Sequence, residues 1–363
     1  MLFKSLRHGS LHTKNRLVMS PMTRNRAVQA NTPNALMAEY YGQRASAGLI
    51  VTEGTSPSPN GLGYARIPGL FNAAQVRGWQ GVTDAVHTRG GRIFLQLMHT
   101  GRVTHVDNLP AGAEVVGPTA DVCPGEMYTD TKGLQPFSPP RAMTERDIAH
   151  AVGEYAQAAR LAIEAGFDGI ELHAANGYLI EQFLNANVNR RADGYGGSIA
   201  GRNRFALEVA RATAAAAGAE RVGIRLSPAG VFNSTGSFPE LEAQYLELAG
   251  ELSRLNLAYL HVLDHSAMGA PPVPVELKLK LRQAFSGVFI LAGGFDGASA
   301  ERALVEKRAD LIAFGRPFLA NPDLPERLHL NAQLNVPDQA TFYVPGPKGY
   351  TDYPALTAET STA

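Results

Sequence analysis

The stretch FDGIELHAANGYLIEQFLNANVNRRADGYGGS (167–198) opens as an apolar run of strand type and passes at once into hydrogen-bonding side chains: His173, Asn176 and Tyr178 fall within six residues. Its apolar part, GIELHA (169–174), is one of eight such runs. The others are LVMSPM (17–22), GLIVTEG (48–54), RIFLQLMH (92–99), VGIRLSP (222–228), YLHVLD (259–264), VFILAGG (288–294) and DLIAFGR (310–316). They are rich in Ile, Leu and Val, as strands buried on both faces are. Helical patterns separate most of them. TERDIAHAVGEYAQAARLAIEAG opens on Thr144 with Asp147 three residues on, close to a capping box. GRNRFALEVARATAAAAG is Ala-rich and ends on Gly218, a natural C-terminal stop. FPELEAQYLELAGELSRL and GASAERALVEKRA complete the set. Strands alternating with helices predict βαβ units, and eight of them predict one closed α/β barrel of the (β/α)8 TIM type spanning 1–363.

The stretch 103–143 breaks the rhythm. It is Pro- and Gly-rich, follows the third strand, and is expected to form a long lid-like excursion over the barrel mouth. YVPGPKGYTDYP, near the C-terminus, holds three tyrosines and is expected to be ordered, whereas the tail from about 356 to 363 is expected to be disordered.

Bulk composition removes several function classes. Lys+Arg and Asp+Glu are 33 each, so the formal net charge is zero, against the basic footprint of a nucleic-acid binder. The one cysteine, Cys123, allows no disulfide within the chain and no cysteine-based metal cluster. No secretory pattern opens the sequence, and no run approaches the ~18 apolar residues of a membrane span. These features predict a cytoplasmic protein.

In such a barrel the chemistry belongs at the C-terminal ends of the strands. Those ends carry donors, amides and glycines: Pro21, Met22 and Thr23; Glu53 and Gly54; Gln96, Met98 and His99; His173 and Asn176; Arg225; Asp264; Gly293 and Gly294; Gly315 and Arg316. Glycines after strands seven and eight, with Arg316, suit a phosphate dianion, although glycines also simply end strands. Arg225 sits inside an apolar strand. A buried guanidinium needs either a carboxylate or an anionic ligand. A Schiff-base mechanism requires a lysine at a strand end, and Lys4, Lys14, Lys132, Lys278, Lys280, Lys307 and Lys348 all lie off the strands. The patch HVLDH (261–265) reads better as satisfied polar structure than as a metal site, and no metal is expected. Glu53 and Asp264 could serve as the opposed carboxylates of a TIM-barrel hydrolase, which stays open on the residues alone.

Taken together, SPMTRNRA, LQLMHTGR, the 166–205 block around HAANGY, RLSP, FGRPFLANPDLPERL and GYTDYP resemble the classical branch of the Old Yellow Enzyme family, in that family's order and over almost the whole chain. The resemblance implies noncovalent FMN at the barrel mouth, reduction by NADPH or NADH, and hydride transfer to the β-carbon of α,β-unsaturated carbonyl or nitro compounds, with nitrate esters as further substrates. It implies that Pro21, Met22, Thr23, Gly54, Gln96, Arg225, Gly294, Gly315 and Arg316 hold FMN. His173 and Asn176 would bind the substrate oxygen and Tyr178 would protonate the α-carbon, with Tyr64, Met98 and Tyr350 lining the substrate pocket. Met98 stands where many relatives carry Trp. Monomers and homodimers both occur in the family. A flavin-binding protein without turnover is the non-enzymatic alternative.

Overall fold

The computed structural model describes residues 1–356, and the tail expected to be disordered therefore lies, but for its first residue, outside the described residues. Eight strands close into a parallel barrel: β1 (Leu17–Met19), β2 (Leu49–Val51), β3 (Ile93–Leu97), β4 (Gly169–Ala174), β5 (Val222–Leu226), β6 (Tyr259–Leu263), β7 (Val288–Ala292) and β8 (Leu311–Phe314). Each pairs with its sequence neighbour, and β8 closes on β1 through Ala313 opposite Val18. All eight fall within the apolar runs.

The two-residue period of a strand sorts these side chains into two cores. Leu17, Ile50, Leu95, Leu172, Ile224 and Ile312 belong to the layer shared with the helices. Val18, Val51, Phe94, Tyr259, Ile290 and Ala313 form a separate cluster inside the barrel, reached from below by Leu11 of the hairpin Leu6–His8/Leu11–Thr13. The same alternation turns Gln96, Glu171, His173, Arg225 and His261 inward together. Arg225 stands opposite both His173 and His261 in the ladder.

The helices are fixed locally at their ends. Thr144 and Asp147 form a reciprocal capping box on helix Glu145–Glu164, and Gly218 ends helix Ile199–Ala217 at a φ of 92°. Helices at Ala35–Gln43, Ala73–His87 and Val275–Ala284 complete connections for which the sequence pattern shows no clear helix.

The 103–143 excursion carries a hairpin, Glu126–Thr129 with Gly133–Pro136, and a short bridge between Val116–Gly117 and Arg141–Ala142. Val103, Cys123, Met127 and Phe137 pack against Leu62, Met98 and Tyr178. It acts as a wall behind these two pocket residues. None of its own residues lines the cavity at the barrel mouth.

Candidate active site

A cavity of about 560 Å³ opens at the C-terminal ends of the strands, well inside the ~300–1,000 Å³ typical of small-molecule sites. Fourteen of the fifteen residues expected at the site line it: Pro21, Met22, Thr23, Gly54, Tyr64, Gln96, Met98, His173, Asn176, Tyr178, Arg225, Gly294, Gly315 and Arg316.

The turn after β4 builds one wall. Asn176 and Gly177 are both left-handed, with φ of 62° and 74°. Asn tolerates that conformation, and at Gly177 a side chain would meet the Phe232 carbonyl at 2.7 Å. The double reversal starts a short helix, Leu179–Leu184, with Tyr178 as its N-cap residue. Buried Glu181 holds the turn from behind. It accepts from Gly177 N at 2.6 Å and from the Ser227 hydroxyl at 2.9 Å, and Ser227 Oγ in turn accepts from Asn176 N at 2.9 Å.

The donors are oriented individually. His173 Nδ1 accepts the Ala175 N–H at 3.3 Å, which leaves Nε2–H as the free donor of the ring. Burial, followed by the Arg225 charge, holds this imidazole well below its ordinary pKa, so it is neutral. Asn176 Oδ1 accepts from His265 Nε2 at 2.8 Å, so its amide nitrogen is the end that serves the cavity. The Tyr178 ring stands edge-on to His173 at 4.9 Å, and its hydroxyl lies 2.8 Å from that of Tyr64. Burial raises the Tyr178 phenol to about 12, against the opposing Tyr64 hydrogen bond and Arg225 charge, and keeps it protonated.

The floor is polar and largely self-satisfied. Glu171 accepts from His261 at 2.8 Å, from Tyr259 at 3.0 Å and from Gln96 Nε2 at 2.8 Å. Gln96 is thereby turned so that Oε1 is its free end. Arg225 is 5% exposed, forms no ion pair among the described residues, and its Nε has no partner. Of the two readings of Arg225, no carboxylate makes an ion pair with it among the described residues, and buried Glu171 favours its charge only from farther off. The cation faces a cavity instead.

Two expectations need correction. Tyr350 is fully buried and does not line the cavity. Its ring stacks on Tyr40 at 4.0 Å and 10°, with the Arg26 guanidinium 4.5 Å from its centroid. Glu53 and Asp264 do not oppose each other across a pocket. Glu53 is buried outside it, held by Tyr41 and the Arg24 amide, while Asp264 pairs with Lys278 at 2.9 Å and accepts from Ser266 and Val273 N–H groups. The 261–265 patch is divided: His261 in the floor, Asp264 in its ion pair, His265 on Asn176. No cluster of three or more metal-ligating side chains occurs among the described residues.

Among the further wall residues that the sequence does not single out are Phe232, His265, Phe342 and Tyr343. The 261–265 patch pointed to His265. No local pattern marks the other three.

Comparison with known proteins follows this geometry. Residues 1–335 match the model of the NADH:flavin oxidoreductase / NADH oxidase family. Chanoclavine-I aldehyde reductase of Penicillium roqueforti is 42% identical over 369 residues, covering 99% of this chain and 97% of the relative. Morphinone reductase, in a structure with tetrahydroNAD, superposes with a TM-score of 0.93 at 47% identity over 99% of this chain and 98% of that one. An Old Yellow Enzyme homologue from Zymomonas mobilis superposes with a TM-score of 0.93 at 40% identity over 98% of this chain and 99% of that one.

Proposed function

The chain belongs to the NADH:flavin oxidoreductase / NADH oxidase family, and from that premise we propose that it is an FMN-dependent ene-reductase, using NADPH or NADH to reduce the activated C=C bond of α,β-unsaturated carbonyl or nitro compounds. The observation that carries the reading is the pairing of an unpartnered, buried Arg225 with two neutral donors and a protonated phenol around one cavity. A buried cation with no carboxylate in contact wants an electron-rich ligand, and neutral donors beside a proton source want a developing oxyanion.

The residues fit FMN. Gln96 Oε1 is free to accept an N–H, Arg225 is free to donate to a carbonyl edge, and Gly294, Gly315 and Arg316 at the other side of the cavity suit a phosphate. The Pro21–Met22–Thr23 turn and Gly54 would contact the ring system. When bound, FMN would supply the hydride, taken from the nicotinamide and passed to the β-carbon of the alkene. As the C–H bond forms at that carbon, the alkene π pair moves toward the electron-withdrawing group and charge builds on its oxygen. His173 Nε2–H and the Asn176 amide donate to that oxygen, more strongly in the transition state than in the ground state. Tyr178 gives its proton to the α-carbon, and the adjoining Tyr64 hydroxyl is placed to replace it. Met98 and Tyr64 bound the side of the pocket on which the substrate would lie.

The test is optical. The protein reconstituted with FMN should be yellow, bleach with NADPH or NADH under anaerobic conditions, and recover its colour on addition of 2-cyclohexenone. A yellow protein that never bleaches points to flavin binding without turnover. A protein that cannot be loaded with FMN overturns the reading.

A further inference from the structure

Asn176 carries a side chain whose chemistry depends on which way round it sits. With Nδ2 toward the cavity it donates; with Oδ1 there it would repel a developing oxyanion. Nothing in the amide's shape selects one orientation, because the two ends are nearly isosteric. Its backbone is fixed on both sides: Asn176 N donates to Ser227 Oγ at 2.9 Å, and its carbonyl accepts from Asn233 Nδ2 at 2.7 Å. The amide itself has one partner among the described residues, His265 Nε2, 2.8 Å from Oδ1.

His265 follows the end of β6, 89 residues along the chain. It is 4% exposed, and its ring leans on Phe232 at 4.5 Å. Gly230 borders its other nitrogen so closely that a Cβ there would lie 3.2 Å from Nδ1. Its own turn is tied by Met268 N donating to the His265 carbonyl at 2.8 Å and by Asp264 capping Ser266 N at 2.9 Å. The imidazole is thus a held donor rather than a mobile one. Burial, then the Arg225 charge, lowers its pKa to about 4. Nε2–H persists in both the neutral tautomer that makes this bond and the cation.

We propose that His265 is a positioning residue: by donating Nε2–H to Asn176 Oδ1 it turns the Asn176 amide nitrogen toward the substrate oxygen and so completes the two-donor site begun by His173. This rests on the ene-reductase reading, and it assigns to β6 a share in a site otherwise built from the β4 turn. His265 has no direct contact with substrate in this account; its whole effect passes through Asn176.

A double-mutant cycle on the FMN-loaded protein tests it, with the dissociation constant of 4-hydroxybenzaldehyde as the readout, since a phenolate imitates the oxyanion. His265→Ala should weaken binding about tenfold, the loss of one hydrogen bond to a charged oxygen. In an Asn176→Ala background the same change should add less than about twofold. His265→Gln, which keeps a donor at the same reach, should return to within about threefold of the parent. It also serves as the folding-competent variant if His265→Ala does not accumulate. Equal losses in both backgrounds would mean that His265 acts on the ligand itself, and no loss in either would mean that Asn176 orients unaided; each overturns the proposal. A parent protein that holds FMN yet neither binds the phenolate nor turns over 2-cyclohexenone instead removes the ene-reductase reading beneath it.

Discussion

The turn after β4 and the C-terminal strap (331–356) each offer a buried tyrosine beside arginine, yet the two rings do different work. Tyr178 has its hydroxyl on Tyr64 and a face on the cavity. Tyr350 has a hydroxyl with no partner and a ring enclosed by Tyr40, Arg24 and Arg26. The β4 turn takes its shape from residues within a few positions of itself, the left-handed Asn176–Gly177 pair and Glu181, and is then anchored to Ser227, Asn233 and His265, 51 to 89 residues on. The strap is held by arginines some 300 residues away. Arg24 donates to the carbonyls of Phe342 at 3.1 Å and Gly349 at 2.6 Å, and Arg26 to those of Phe342 at 2.8 Å and Thr341 at 2.9 Å. These buried cations are satisfied by carbonyls and aromatic faces rather than by carboxylates. Through them the strap sets Phe342 and Tyr343 at the cavity rim. A tyrosine in a polar local cluster serves chemistry here; a tyrosine among arginines serves as a platform.

The same hydroxyl deletion should therefore be costly in one region and nearly silent in the other. Tyr178→Phe should cut steady-state reduction of 2-cyclohexenone by ~10²–10⁴-fold, the loss of a general acid. In the parent, with the phenol raised to about 12, the enone step should hold level through neutral pH and fall only as pH climbs toward that value. A fall centred near neutrality would indicate a different acid. Arg24→Ala should lower folding stability by ~3 kcal/mol, since it strips buried carbonyls of their donor. The loss should appear as a lower denaturation midpoint at constant m, with the amides of 341–350 exchanging faster than those of β4. His173→Ala should weaken phenolate binding by ~1.5–3 kcal/mol while FMN stays bound; an unchanged titration would take His173 out of the oxyanion site. At the small end, Tyr350→Phe removes a hydroxyl that makes no hydrogen bond, so stability should move by less than ~0.5 kcal/mol and enone turnover should not change. A marked loss of turnover in that variant would return Tyr350 to the pocket.

The contrast also explains what was legible in the sequence. The eight strands are readable because a parallel strand buried on both faces must be Val, Ile and Leu, whatever surrounds it. The β4 turn is readable because its polar residues and its left-handed Asn176–Gly177 pair lie within a few positions of one another, although the contacts that anchor it come from Ser227, Asn233 and His265. Helix Ala73–His87 is harder to see, since Gly78 and Gly81 weaken its pattern. Gly78 is there because Pro33 approaches so closely that a Cβ would lie 2.6 Å from its carbonyl, a contact 45 residues away in sequence. Tyr350 is misread for the same reason: only the fold brings Arg24 and Arg26 against it. Phe342 and Tyr343 reach the cavity by that clamp, and no local pattern reports it. His265 lies between the cases, visible as a member of a polar patch but assignable only once β6 and the β4 turn stand side by side.

The most direct test of the central claim separates the two half-reactions of Tyr178→Phe by stopped flow. If the β4 turn serves the alkene and not the nicotinamide, flavin reduction by NADPH or NADH should keep its rate within about twofold while reoxidation by 2-cyclohexenone slows by ~10²–10⁴-fold. Equal slowing of both halves, or an unchanged rate with the enone, would contradict it.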